Sequence, residues 1–427
     1  MIKTENLKFR YPDQKTFLLN GVHLKIAGKG ITEIAGISGS GKTTLLEILN
    51  GIIPHIYRGY REGIVSVYGK DPENVPIEVI SNSVSTLIQN FELQLFRENV
   101  TDEVNTSSKL AERLGVDKLA GKKIRELSSG EKQRVLILKI IEKGTTAFLM
   151  DEPFSSLDNE GKEILRTIIE ELGKTVIIFS HEFHFRNSTK FVLSGGEMKV
   201  PPSDHLRELG IKVQPYDFSL SRVSYNGTPP LISTKGITFS YGSHRVLDGI
   251  DFEIYPGEIV GISGANGTGK TTLGRVLAGF LKPANGKIFY RGRELRNSVA
   301  GERIGLIFHD PYTQIFGLRV KDFINFNGVE QNMQTLGLNL HPESRILRLS
   351  RGELTKLAIA TNTEYEMIIY DEPTNGLDYI SLKKFAEFLG KLRDSGKSLL
   401  VFSHDLEFLN RVSDRRFELK GGKLIEL

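Results

Sequence analysis

Gly36-Ile37-Ser38-Gly39-Ser40-Gly41-Lys42-Thr43 and, in the second half, Gly264-Ala265-Asn266-Gly267-Thr268-Gly269-Lys270-Thr271 decide the fold of this chain. Both follow the spacing G-x-x-x-x-G-K-[ST] of a phosphate-binding loop, or P-loop. The glycines let successive backbone N–H groups turn into one concavity, and the helix that follows adds its positive N-terminal end. The lysine bridges the terminal phosphates and the threonine hydroxyl ligates Mg²⁺. Each loop is followed by the same series of shorter motifs, so the sequence predicts two nucleotide triphosphates held by two copies of one domain. Gly39, Ser40, Gly41, Lys42, Thr43 and Thr44 are the phosphate-binding candidates of the first copy, and Gly267, Thr268, Gly269, Lys270, Thr271 and Thr272 those of the second.

Outward from the loops, apolar patterning fills in the sheet. Ile2 to Phe9 alternates apolar and polar residues as a half-buried strand does, and Ile237-Thr238-Phe239-Ser240-Tyr241 repeats the pattern. Residues 31–37 and 257–262 read as strands feeding the two loops, and Leu45, Leu46, Ile48 and Leu49 mark the core side of the first following helix. Short apolar runs at 147–150 and 176–179, then at 367–370 and 399–402, end at acidic or histidine residues. Strands alternating with helices in this way predict an α/β fold, a mainly parallel sheet with its site at the carboxyl ends of the strands. The stretch 201–230 holds Pro201, Pro202, Pro215, Pro229 and Pro230, five of the 15 prolines, and is expected to be an extended, semi-rigid linker between domains at 1–200 and 231–427. Within it Ser203 to Gly210 could form one short capped helix.

Composition narrows the classes. None of the 427 residues is cysteine, which excludes disulfides, thiolate zinc sites and iron–sulfur clusters. The opening Met1-Ile2-Lys3-Thr4-Glu5-Asn6 is polar and argues against a secretory signal. No apolar run approaches the ~18 residues of a membrane span, so any membrane role is expected to run through a partner. A net charge of +4 from 56 basic and 52 acidic residues gives little reason to expect nucleic acid as a partner. His181-Glu182-Phe183-His184 pairs two histidines without the H-E-x-x-H spacing of a zinc helix.

Leu127-Ser128-Ser129-Gly130-Glu131-Lys132-Gln133-Arg134 and its counterpart Leu349-Ser350-Arg351-Gly352-Glu353 resemble the signature motif of ATP-binding-cassette (ABC) ATPases. The other elements of that family match as well. Gln89 stands at the Q-loop, Asp151-Glu152-Pro153 as Walker B, Ser156-Leu157-Asp158 as D-loop and His181 as switch histidine; the second half has Asp371-Glu372-Pro373, Gly376-Leu377-Asp378 and His404. The resemblance implies tandem P-loop NTPase domains, each with a parallel core, an antiparallel β subdomain and a small helical subdomain. It further implies that ATP lies head-to-tail between the P-loop of one half and Ser128 and Gly130, or Ser350 and Gly352, of the other. Glu152 and Glu372 would be the catalytic glutamates, with His181 and His404 contacting the γ-phosphate. Mg²⁺ would be held by Thr43, Gln89 and Asp151, and by Thr271 and Asp371. Tyr11 and Tyr241 would stack on adenine, although both also read as core aromatics.

Two departures separate the copies. Where the first has Gln89 the second has His309, and imidazole is a softer ligand than an amide oxygen, so poorer metal coordination is expected there. Arg351 stands where the family usually has glycine and is expected to point outward. After the Q-loop the chain reads Asn90-Phe91-Glu92-Leu93-Gln94-Leu95-Phe96, and in the second copy Asp310-Pro311-Tyr312-Thr313-Gln314-Ile315-Phe316. The shared Gln-x-Phe is similar to ATPases of energy-coupling-factor and cobalt-type importers, which implies an ATPase at the cytoplasmic face of the cell membrane, peripheral, energising a transmembrane transporter subunit. The alternative is a soluble tandem ABC protein such as a ribosome-associated translation factor, whose long basic helical insert has no counterpart in the proline-rich connector.

Overall fold

The structure is a computed structural model that describes residues 1–427 except 13, 90–93, 202–205, 226, 316, 325–327 and 347–348, and the side chains of 297–299. Phe316 and the stretch 90–93, part of the sequence argument for a transport partner, lie outside the described residues, as do Ser203 and its two successors in the expected linker helix. Two compact units divide the chain, Met1–Val213 and Gln214–Leu427.

In the first unit β1 (Ile2–Arg10), β2 (Leu19–Ile26), β3 (Gly30–Ala35), α1 (Lys42–Asn50), β4 (Tyr60–Val67), β5 (Val84–Leu87), α2 (Ser129–Glu142), β6 (Ala147–Asp151), α3 (Asn159–Glu171), β7 (Thr175–Ser180), β8 (Thr189–Ser194) and β9 (Glu197–Lys199) position the site. Their central sheet runs β5-β6-β7-β3-β8-β9, parallel apart from the final hairpin. β6 and β7 are buried along their whole length, which is why they read as unbroken apolar runs and not as alternation. β1 alternates because one face of the antiparallel sheet β2-β1-β4 is solvated. Leu45, Leu46, Ile48 and Leu49 of α1 are fully buried and pack with Ile34, Ile177 and Phe179 between the two sheets.

The second unit repeats the plan with β10 (Ile232–Tyr241), β11 (His244–Ile254), β12 (Ile259–Ser263), α4 (Lys270–Leu277), β13 (Asn285–Tyr290), β14 (Arg293–Glu294), β15 (Ile304–Ile307), α5 (Arg351–Thr361), β16 (Met367–Asp371), α6 (Tyr379–Asp394), β17 (Ser398–Phe402), α7 (Leu406–Val412), β18 (Arg415–Lys420) and β19 (Lys423–Glu426). Its sheet order is β15-β16-β17-β12-β18-β19, beside an antiparallel β11-β10-β13-β14. The expected α/β class and parallel core are present in both units.

The proline-rich stretch is not a free spacer. Ile211 is buried with Ala35 and Val192 of the first unit, and the Lys212 N–H donates to the His181 carbonyl at 2.9 Å. Tyr216 and Phe218 stack on each other, 5.2 Å between ring centres, inside the main core of the second unit. Val223 N–H donates to Asp414 Oδ1 at 2.8 Å, and the Tyr225 hydroxyl donates to the Gly257 carbonyl at 2.6 Å. Residues 206–210 form turns, not a helix. Buried aromatic area and satisfied backbone groups hold these residues against their own units.

Candidate functional site

In the first unit the loop between β3 and α1 is closed by its own lysine. Buried Lys42 donates through Nζ to the carbonyls of Gly36 at 2.7 Å and Ile37 at 3.0 Å. Gly36 and Gly41 are set by close approach: a Cβ would lie 2.6 Å from Leu193 O at Gly36 and 2.7 Å from Leu19 Cδ2 at Gly41, where φ is +99°. Lys270 repeats the closure with Gly264 at 2.6 Å and Ala265 at 3.2 Å.

The threonine after each lysine meets the end of a central strand. Thr43 Oγ1 donates to Asp151 Oδ2 and Thr271 Oγ1 to Asp371 Oδ2, both at 2.7 Å. Asp371 Oδ1 is buried with no partner among the described residues. A desolvated carboxylate oxygen beside a hydroxyl fits the ligand demands of a hard divalent cation, so these residues suit Mg²⁺. Burial pushes both aspartates up, each to about 6, a penalty that a bound cation would relieve.

Glu152 and Glu372 follow directly, with φ of 49° and 52°. Left-handed backbone is uncommon for a long side chain, and its recurrence at the same position in both units marks a shared geometric demand. The surrounding hydrogen bonds then diverge. His181 Nδ1 must donate to the Gly36 carbonyl at 2.8 Å, and its Nε2 lies 3.3 Å from Glu152 Oε1. Burial pushes the Glu152 carboxyl up. In the second unit His404 instead turns Nδ1 to Glu372 Oε2 at 2.9 Å, and its backbone N–H donates to the same oxygen at 3.2 Å. There burial is outweighed by His404 and by Lys270, whose Nζ is 3.6 Å from Oε1, and Glu372 is held well below the usual carboxylate range. The surroundings thus push two identical residues in opposite directions.

The aromatic candidates differ too. The Tyr11 hydroxyl is hydrogen-bonded to Thr44 Oγ1 at 3.0 Å, with its ring edge-on to Phe9. Tyr241 is edge-on to Phe239 but 49 % exposed, which leaves it the better placed of the two to receive a nucleobase.

Ser128 and Ser350 begin α2 and α5 as N-caps. Each accepts the N–H three residues on at 3.3 Å, while Glu131 or Glu353 reaches back to the serine N–H at 2.8 Å. The S-x-x-E pattern of a capping box stands in both copies, a local signal that the sequence reading above did not use. Gly130 and Gly352 are buried in the first turns, so free helical N–H groups stand at each start. Asp158 and Asp378 cap α3 and α6, accepting from Gly161 N–H at 2.9 Å and Ser381 N–H at 2.7 Å.

Gln89, half-buried, follows β5, and His309 takes that place after β15. The expectation of an outward Arg351 is corrected: it is half-buried, and its Nη2 lies 3.4 Å from His309 Nε2, which Asn375 Nδ2 also approaches at 3.1 Å. An acceptor inside the fold draws the guanidinium in. Gln94 and Gln314, expected as part of a docking motif, each brace a loop: Gln94 bonds Thr86 O at 2.8 Å and Ile88 N at 3.0 Å, and Gln314 bonds Leu306 O at 2.5 Å and Phe308 N at 2.8 Å. Two residues on, Phe96 is 77 % exposed with Lys139 Nζ 4.8 Å from its ring centre.

Comparison with known proteins agrees with this geometry. A family model described as "ABC transporter" matches residues 19–155 and again 247–375. A Treponema denticola protein, provisionally described as an ABC transporter ATP-binding protein, is 30% identical over 475 aligned residues that cover 100% of this chain and 96% of the relative. One from Methanosarcina acetivorans with the same provisional description is 28% identical, covering 100% and 90%. Among solved structures, a chain of ribosome-bound archaeal Pelota and ABCE1 matches with TM-score 0.71 and 22% identity over 99% of this chain and 78% of that one. RNase-L Inhibitor matches with TM-score 0.64 and 21% identity over 99% and 91%. At such identities these likenesses describe the fold alone.

Proposed function

Since the chain belongs to the ABC transporter family and carries two of its ATPase domains in tandem, we propose that it hydrolyses ATP to energise solute movement by a separate transmembrane protein, at the cytoplasmic face of a membrane. The observation that carries the hydrolytic half is the doubled set of lysine, threonine, aspartate, glutamate and histidine at the ends of parallel strands. No helix among the described residues is long and apolar enough to cross a membrane, so the solute path belongs to another chain. The transport half is supported by relatives, matched over nearly their whole length, that are provisionally described as transporter ATP-binding proteins, and Phe96, exposed beside the Q-loop, is one apolar contact available to a partner.

In this reading the loop N–H groups and Lys42 or Lys270 bind the phosphates, and Thr43 with Asp151, or Thr271 with Asp371, would hold Mg²⁺. When bound, the cation neutralises charge developing on the phosphate oxygens. Glu152 and Glu372 orient and polarise the attacking water, and His181 and His404, each beside its glutamate, contact the γ-phosphate. The capped starts of α2 and α5 supply N–H groups and a hydroxyl to the transferring group. The test is Glu152→Gln with Glu372→Gln. ATP binding should persist while turnover falls by about 10²–10⁴, the range for a lost general base. Unchanged steady-state hydrolysis would remove these residues from the chemistry.

A further inference from the structure

Three positions change together between the copies. His309, Arg351 and Asn375 of the second unit stand where the first has Gln89, Ser129 and Ser155. Two of the three converge on one atom. A guanidinium only donates, so the approach of Arg351 Nη2 to His309 Nε2 at 3.4 Å requires Nε2 to carry its lone pair. Asn375, buried, must then present its NH₂ to that same nitrogen, at 3.1 Å. The ring proton is thereby assigned to Nδ1.

The surroundings agree with a neutral ring. Burial pushes the imidazolium down, to about 3, and the charge of Arg351 pushes the same way. Gly376, with φ of +74°, passes beside the arginine stem: a Cβ there would lie 3.6 Å from Arg351 Cδ. The three side chains come from different parts of the unit. His309 follows β15, Arg351 opens α5, and Asn375 lies between Glu372 and the α6 cap Asp378, its N–H donating to the Glu372 carbonyl at 3.3 Å.

We propose that His309 is a positioning residue that fixes Arg351 and Asn375, and through them the start of the signature helix and the loop after Glu372, and that it is not a magnesium ligand while those bonds are made. The inference rests on the ATPase reading of the Lys270 site. A nitrogen that already accepts from two donors has no lone pair left for a cation. Arg351 and Asn375 also explain each other: the replacements at 309, 351 and 375 form one set of contacts, and restoring serine at 351 or at 375 removes a donor from that set.

The experiment measures Mg²⁺-ATP binding with a fluorescent ATP analogue, and steady-state turnover, for the full chain and for His309→Leu, Arg351→Ala, the His309→Leu/Arg351→Ala double variant and His309→Gln. Each single loss should lower kcat about tenfold, as small misplacements near a reacting group do, with KM changed less than about twofold. The double variant should be no slower than the slower single. His309→Gln should stay within about twofold of the parent, because its amide oxygen accepts the same two bonds. Losses that multiply in the double variant, or a glutamine variant as slow as the leucine one, would overturn the proposal. Lys270→Ala, run in parallel, separates the two levels: if it left turnover unaltered, the ATPase reading of this site would be the part that failed.

Discussion

Glu47 and Arg275 occupy the same place in α1 and α4 and carry opposite charge. Burial pushes the Glu47 carboxyl up to about 7, with the Asp151 charge adding to the rise. Arg275 instead lies over the Phe308 ring, 5.8 Å from its centre, and favours the charged form of Asp371. The sign for stability follows. A carboxyl raised above its unfolded value of 4.5 binds more protons folded than unfolded, so its contribution falls as pH rises from that value through about 7. Glu47→Gln should therefore raise stability at pH 8 by about 2 kcal/mol, after a discount for partial exposure, and by progressively less toward pH 5. Urea unfolding at the two pH values checks it, and an equal shift at both would contradict the titration. The charge swap was visible in the sequence, but its consequence was not, because Asp151 becomes a neighbour only when β6 lies beside α1. Arg351 hid for the same reason, its acceptor being a residue of another loop.

At the scale of elements, strands were legible from their own apolar runs, and the signature helices through the family motif, although each also carries a local rule. Buried parallel strands are short apolar runs, and the S-x-x-E cap announces a helix start. The loops after β5 and β15 carry no such rule. What fixes them is an amide that donates to the last strand carbonyls and accepts from the first loop N–H, once in each copy. Gln314→Ala should cost about 2 kcal/mol, since both the Leu306 carbonyl and the Phe308 N–H lose their partner. Gln314→Glu keeps the acceptor and loses the donor, so it should destabilise at least as much. Denaturant midpoints at constant slope would measure the difference, and a neutral alanine variant would show that water replaces both bonds.

For the molecule as a whole, the duplication was plain from the sequence and the path between the copies was not. Proline content pointed to a semi-rigid connector without showing what it rests on; its described residues are tied to the unit on their own side, Lys212 to the His181 carbonyl and Tyr216 to Asp405 Oδ2 at 2.7 Å. Trypsin should spare the bonds after Lys212 and Arg222 in the native protein, because cleavage needs several residues of released backbone. Mass spectrometry of early fragments would decide, and a first cut at either site would mean that these ties open readily. Phe96→Ser tests the outer surface. It should weaken recovery of a membrane subunit from detergent extracts while leaving ATP binding unaltered; equal recovery would place the partner elsewhere.

The left-handed glutamates carry a consequence for inheritance. Holding a long side chain at φ of 49° or 52° costs on the order of 1 kcal/mol, and asparagine tolerates that region better. Glu152→Asn should then unfold at slightly higher denaturant than the parent even as hydrolysis is lost. An idle copy would have a downhill route away from glutamate, with random drift and selection for folding pushing the same way. Both halves of this chain carry the strained residue, the pattern expected if both halves hydrolyse ATP.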